Sequence, residues 1–210
     1  MEKAHLIIVD GQGMDAHALS GLPFSDVRNE KILSHQTEKM KIDSACSELA
    51  YLNASQRAFG EKGQNLYFYG ENKKPYSKDE KYGFLSLTHA SGAGACLIAP
   101  CRCGVDIEDI KRDVGKIESR IRFRENSEQD DALTLWCIKE SFAKLTGEGL
   151  SRPFSRIRFH LGQISDEEGN CLAWAKTGRI GRVVWAVASE REMEISVTVL
   201  NFEEAIRAIE

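Results

Sequence analysis

Long apolar runs are missing from this 210-residue chain: no stretch approaches the roughly 18 consecutive apolar residues of a membrane span. The apolar run in the N-terminal MEKAHLIIVDGQ is too short for a secretory signal, so a cytoplasmic protein without a membrane partner is expected. Cysteine is sparse. The six, at 46, 96, 101, 103, 137 and 171, lack paired C-x-x-C spacing, which argues against a disulfide scaffold and for reduced thiols. A zinc site from Cys96, Cys101 and Cys103 is set aside because no histidine follows at finger-like spacing. Positive charge is also in short supply: 28 Lys plus Arg against 32 Asp plus Glu give a net −4. That balance argues against broad nonspecific nucleic-acid binding, while leaving local patches open. There is no internal repeat, and no Pro/Ser/Gly linker, so any domain boundary must be tight, with the change of texture near Gly104 as its candidate position.

What is present is ordinary globular material, 42% hydrophobic and 29% charged, enough for a core and against disorder. AHLIIVD at the N-terminus reads as a strand. From Glu38 to Leu52, Ile42, Ala45, Cys46, Leu49 and Leu52 recur at three- and four-residue steps and predict an amphipathic helix. NLYFY (65–69) suits a strand, followed by the lysine-rich polar loop GENKKPYSKDEKYG. FLSLTH and ACLIAP read as two strands joined by a hairpin turn in ASGAG, and GVDIEDI as a third. After a densely charged stretch, helical spacing runs from about Glu128 to Thr146, through Leu133, Trp136, Phe142 and Leu145, and Gly147 and Gly149 end it. IRFHL, CLAWAK, RVVWAVAS and EISVTVL follow as short runs, then a helical FEEAIRAI. The fold class is α+β.

Alternate strand residues share a face, so Asp106 and Glu108 of GVDIE project side by side. Such a pair either lines a solvated face or, because adjacent like charges raise each other's pKa, recruits a hard divalent cation. In LWCIKESFAKLTGEGL, Glu140 and Lys144 lie four apart on one helix face with Trp136 a turn earlier. They form either a surface ion pair or the third carboxylate and the ammonium of an Mg²⁺ site facing an anion. Thr88, His89, Lys73 and Lys74 supply hydroxyl, imidazole and ammonium donors suited to a polyphosphate. A Walker loop and a G-x-G-x-x-G fingerprint are both absent.

SLTHASG, CGVDIED and LWCIKESFAKLTGEGL, in this order, resemble the signatures of the Sfp-type 4′-phosphopantetheinyl transferases: a Ser-His strand end, G-[IV]-D-[IV]-E and W-x-x-K-E-[SA]-x-x-K. The match is strong over about 83–152 and weak over the first 60 residues. The resemblance implies transfer of the phosphopantetheine arm of coenzyme A to a serine of an apo acyl or peptidyl carrier protein, releasing adenosine 3′,5′-bisphosphate. It further implies Asp106, Glu108 and Glu140 as Mg²⁺ ligands, with Glu140, Lys144 and Asp106 catalytic. Lys139 and Lys144 would neutralise phosphate charge, and Thr88 and His89 would hold coenzyme A phosphates. Lys73, Lys74 and Pro75 stand in the place of the family's Gly-Lys-Pro, and Arg28 and Lys31 are 3′-phosphate candidates by position.

The same resemblance implies two similar α+β halves in a pseudo-twofold arrangement: 1–104 with the nucleotide and phosphate contacts, and 105–210 with the metal site and catalytic helix. The two would act as one functional unit, and as a monomer. Three departures stand out: Lys73 in place of Gly, Ala90 in place of a second Ser, and a short polar connector between Ile110 and Leu133. From Lys111 to Arg124 that connector carries Lys111, Arg112, Lys116, Arg120, Arg122 and Arg124 against Asp113 and Glu118. This cationic strip either steers an acidic carrier or is an ordinary solvated loop. The alternatives carried alongside are an Mg²⁺-dependent phosphodiesterase using the same carboxylates, and a catalytically weak protein binding coenzyme A or carrier.

Overall fold

The computed structural model describes residues 3–19, 21–60, 66–70, 74–121, 131–149 and 153–210, without the side chains of Ala16, Glu80, Ile117 and Arg120. In chain order the elements are β1 (Ala4–Asp10), α1 (Asp26–Leu33), α2 (Glu38–Phe59), β2 (Tyr67–Tyr69), β3 (Pro75–Ser77), β4 (Phe84–Ala90), β5 (Ala93–Ala99) and β6 (Cys103–Asp109). After them come α3 (Glu118–Ile121), α4 (Ala132–Thr146), β7 (Arg158–His160), β8 (Gln163–Ser165), β9 (Cys171–Ile180), β10 (Val183–Ser189), β11 (Ile195–Asn201) and α5 (Phe202–Arg207). No helix among the described residues is long and apolar enough to cross a membrane.

The chain divides into two compact units, 1–100 with 194–210, and 101–193. The boundary thus falls just ahead of Gly104. The larger difference from the expected 105–210 half is at the C-terminus, where β11 and α5 belong to the first unit. β11 pairs in parallel with β1 along its whole length, Ala4 opposite Ile195 and Asp10 opposite Asn201. Nothing local in EISVTVL specifies that partner.

In the first unit the sheet order is β11-β1-β5-β4. β4 and β5 form a hairpin whose turn is only Ser91-Gly92, both at positive φ, as a tight two-residue turn requires. Ala93 and Gly94, expected in the turn, are therefore strand residues. Gly94 is where α2 crosses: a Cβ there would lie 2.1 Å from the Ser47 backbone nitrogen. α2 is longer than its apolar pattern, capped by Thr37 at the start and by left-handed Gly60 at the end. It is also not simply amphipathic, since every residue from Ile42 to Ser55 is buried, including Asp43, Ser47, Glu48 and Asn53. Those polar side chains have partners: Asn53 Nδ2 donates to the Leu49 and Ala205 carbonyls, both at 2.9 Å, and Ser47 Oγ to the Thr88 carbonyl at 3.1 Å.

The second unit is a five-stranded antiparallel sheet, β6-β10-β9-β8-β7, with α4 packed on β6 and β10. α4 begins at Ala132, with the Asp131 side chain accepting from the Thr134 N–H, and ends at left-handed Gly147. Residues 128–130, where the sequence pattern places the helix start, lie outside the described residues. Leu135, Ile138 and Phe142 meet Val184, Ala186 and Ala188 in one apolar cluster. Gly104 permits the close crossing: a Cβ there would lie 2.0 Å from the Ser141 carbonyl oxygen and 2.6 Å from the Leu145 nitrogen.

Candidate active site

β6 sets the frame of the site. Asp106 pairs with Ala186 and Glu108 with Val184 across the β6–β10 ladder, and both partners belong to the cluster beneath α4. The two carboxylates therefore stand on the helix-covered face, each 6% exposed, and the solvated-face reading of D-x-E fails for this strand. Two residues along a strand and four along a helix are comparable strides, so side chains of α4 meet them in turn. Trp136 Nε1 donates to Glu108 Oε1 at 2.9 Å, and Lys144 Nζ donates to Asp106 Oδ1 at 2.7 Å and to the Val105 carbonyl at 3.1 Å. Glu140 lies between them on the same helical row, half-buried.

Glu108 and Glu140 both sense the charge of Asp106. Burial pushes the Glu140 carboxyl above the usual carboxylate range, and the charge of Asp106 adds to the push. Glu108 is raised for the same two reasons, burial first and Asp106 second, with Trp136, Arg112 and Lys144 pulling it back. Arg112 pairs with Glu108 through Nη1, and its guanidinium lies over the Trp136 ring, 4.9 Å from the centroid. Trp136 is wedged on its other flank by Phe154, edge-on with centroids 5.8 Å apart. Among the described residues no three His, Cys, Asp or Glu side chains are drawn tightly enough together to cage an ion. The donor set still suits a hard cation: carboxylate oxygens only, two on one strand face and a third feeling the charge of Asp106. This is the pattern of one or two protein carboxylates completed by substrate phosphates and water.

Lys139 has a different post from the one its motif position implies. It is completely buried, and its Nζ donates to the carbonyls of Ile121 and of Phe154, the latter at 2.6 Å. Desolvation brings its pKa down to about 7. An ammonium held between two carbonyls braces α4 against α3 and the 154–156 turn, and it presents no charge to a phosphate in solvent. Cys96, Cys101 and Cys103 are buried and none is in a disulfide.

In the first unit, His89 closes β4 with its side chain 57% exposed and its Nδ1 3.9 Å from Asp43 Oδ2. The other Asp43 oxygen accepts the Gly92 N–H at 2.5 Å, tying the hairpin turn to α2. Thr88 is buried. Arg28 and Lys31 share a face of α1, but their surroundings differ. The Arg28 guanidinium is 12% exposed and 2.8 Å from Glu48, which also accepts from Tyr67 Oη at 3.0 Å. Lys31 is exposed and lies 4.2 Å above the Tyr69 ring. Lys74 is half-buried, its carbonyl accepting from Gly70, and Pro75 opens β3. Lys73, Arg122 and Arg124 lie outside the described residues, as does the side chain of Arg120.

Two arrangements escaped the sequence reading. Arg112 leaves the cationic strip to sit on Glu108, a pairing for which its i,i+4 spacing is a weak signal because that spacing crosses the end of a strand. The buried Asp43 and Glu48 of the first unit had no signal at all, since their contacts join distant segments.

Comparison with known proteins follows the same residues. A model of the 4′-phosphopantetheinyl transferase superfamily matches residues 102–179, which contain Asp106, Glu108, Trp136, Glu140 and Lys144. Over 153 residues, 65% of this chain and 68% of the other, the chain is 28% identical to the 4′-phosphopantetheinyl transferase Sfp of Bacillus subtilis (strain 168). The strand carboxylates and the helix Trp, Glu and Lys that the fold brings together all lie inside the segment that is similar to the 4′-phosphopantetheinyl transferase superfamily.

Proposed function

We propose that this protein transfers the 4′-phosphopantetheine arm of coenzyme A to a serine hydroxyl of an apo acyl or peptidyl carrier protein, releasing adenosine 3′,5′-bisphosphate. The observation that carries the proposal is the stacking of α4 over β6, with Trp136 on Glu108 and Lys144 on Asp106. Asp106, Glu108 and Glu140 would hold Mg²⁺, which when bound offsets the negative charge of the coenzyme A pyrophosphate. The reaction forms a bond from the serine oxygen to the phosphorus carrying pantetheine and breaks that phosphorus's bond to the bridging oxygen, so the leaving group is the nucleotide bisphosphate. Little covalent work falls to the protein; positioning and charge neutralisation dominate.

Glu140 takes the serine proton, directly or through a water. Its half-buried carboxylate lies on the α4 row between Trp136 and Lys144, the row that meets Glu108 and Asp106. Lys144, anchored on Asp106 and Val105 and about a third exposed, faces the phosphates and opposes the charge that builds on the leaving oxygen. From the first unit, exposed His89 and Lys31 are the strongest candidates for coenzyme A phosphates, with Lys74, Pro75 and Thr88 beside the nucleotide. Arg28 would serve less directly, because Glu48 already holds its guanidinium. Lys139 is left out of the phosphate set.

The test is incubation with coenzyme A, Mg²⁺ and a panel of apo carrier proteins, read by intact mass. Addition of one phosphopantetheine to a carrier serine supports the proposal. Coenzyme A binding without any adduct makes the protein a binder, and phosphodiester cleavage without adduct makes it a hydrolase; either result ends the transferase reading.

A further inference from the structure

Arg112 is chemically odd where it stands. Its partner Glu108 is 7% exposed in the side chain, whereas Arg112 itself is 40% exposed. Other arginine pairs to sheltered carboxylates in this protein are sheltered on both sides: Arg28 with Glu48 at 12% and 5%, and Arg182 with Asp109 at 16% and 15%. Lys144 on Asp106 has a second anchor in the Val105 carbonyl. Among the described residues the Arg112 guanidinium is held by Glu108 and by the face of Trp136, the second a contact that a guanidinium makes and leaves without stranding a polar group. Glu108 cannot follow it out, being fixed on a central strand and held by Trp136 Nε1.

We propose that Arg112 is a resident counter-cation that keeps Glu108 aligned until a divalent metal ion arrives, and that the ion displaces it from both Glu108 and the Trp136 ring. The inference rests on the reading of Asp106 and Glu108 as metal ligands. Two buried carboxylates standing two residues apart on one strand face repel. Lys144 answers for Asp106, and Arg112 answers for Glu108. The Glu108 Oε1 that Arg112 occupies also accepts from Trp136 Nε1, so both its lone pairs are in use and an ion binding through that oxygen takes the guanidinium's place. Arg112 thereby becomes a positioning residue with a cost: the metal competes with it.

The experiment uses the full-length protein without coenzyme A at pH 8. Mg²⁺ alone is titrated while tryptophan fluorescence is followed, and Mn²⁺ binding is measured by electron paramagnetic resonance. Of the three tryptophans, Trp136 is isolated by comparison with W136F. In wild-type protein the Trp136 component should change with Mg²⁺ as the guanidinium leaves the ring. Arg112→Gln should bind Mn²⁺ about threefold to tenfold more tightly, as expected for removing a partly exposed competing pair.

Metal binding that Glu108→Gln weakens, with Arg112→Gln binding like wild type or more weakly, overturns the proposal and leaves the metal reading standing. An unchanged Trp136 signal in wild-type protein at saturating Mg²⁺ overturns it without recourse to any Arg112 variant. Absence of metal binding by the wild type, or binding untouched by Asp106→Asn and Glu108→Gln, overturns the metal reading and the proposal together.

Discussion

Lys144 Nζ lies 2.7 Å from Asp106 Oδ1 while also donating to the Val105 carbonyl, so one ammonium fastens the last turn of α4 to the strand that carries the carboxylates. The contact is local in space and 38 residues apart in sequence. It makes the helix and strand a single chemical unit.

Removing either partner should separate chemistry from folding. Asp106→Ala should abolish metal-dependent transfer, and Lys144→Ala should lower kcat by about 10²–10³-fold, the range found when one preorganised charge donor is lost. Circular dichroism should show both variants folded. A carrier modified at the wild-type rate by Asp106→Ala would remove that residue from the site.

Gly104→Ala tests how closely α4 must approach β6. A methyl group there meets backbone atoms at 2.0 and 2.6 Å, which cannot rotate aside. The cost should be about 1–3 kcal/mol in urea unfolding, with transfer impaired because the helix is levered away from Asp106. Equal stability of variant and wild type contradicts the close crossing.

Lys139 predicts a distinctive pH dependence. Its pKa in the folded protein is brought down to about 7 by burial, so between that value and the ordinary lysine value the unfolded chain binds more protons than the folded one. Stability from this group is therefore lowest below about pH 7 and grows as pH rises. Wild type should gain on Lys139→Met by on the order of 2 kcal/mol from pH 7 to 9. Thermal melts of the two proteins at both pH values measure the gap; a constant gap contradicts the buried amine.

Glu108 and Glu140 have the opposite sign. Their carboxyl pKa values are raised in the fold by burial and then by Asp106, so the stability they contribute is complete below the ordinary carboxylate range and is lost as pH rises through their folded values. Mg²⁺ should restore what is lost. The Mg²⁺-induced rise in melting temperature should be absent near pH 4, where both are protonated, and should grow toward pH 8. A rise independent of pH would place the metal elsewhere.

Much of the local structure is legible in the sequence. GVDIEDI alternates as a strand, Leu133 to Leu145 recur as a helix, and Gly147 sits where a left-handed cap is needed. Legibility weakens where polar residues are buried. Asp43, Ser47, Glu48 and Asn53 look like solvated positions of α2, yet they are enclosed: Asp43 and Ser47 meet the β4–β5 hairpin, Glu48 meets Arg28 of α1 and Tyr67 of β2, and Asn53 meets the Ala205 carbonyl of α5. The hairpin turn was legible in kind but not in register, since ASGAG contains several small residues and only the pairing of Ala90 with Ala93 selects Ser91-Gly92.

By itself, then, the sequence determined the α+β elements and the order Ser-Leu-Thr-His, Asp-x-Glu, Trp-x-x-Lys-Glu that carries the family resemblance. Periodicity and capping are properties of neighbouring residues, and so they survive in a linear string. Only the tertiary structure decided that β11 completes the first unit's sheet beside β1, that Asp106 and Glu108 are buried under α4, and that Lys139 faces two carbonyls while Lys144 faces a carboxylate. Those outcomes depend on which surfaces exclude water from one another. Two lysines five residues apart on one helix differ in role because one points into the packed interior and the other toward the buried charge of β6.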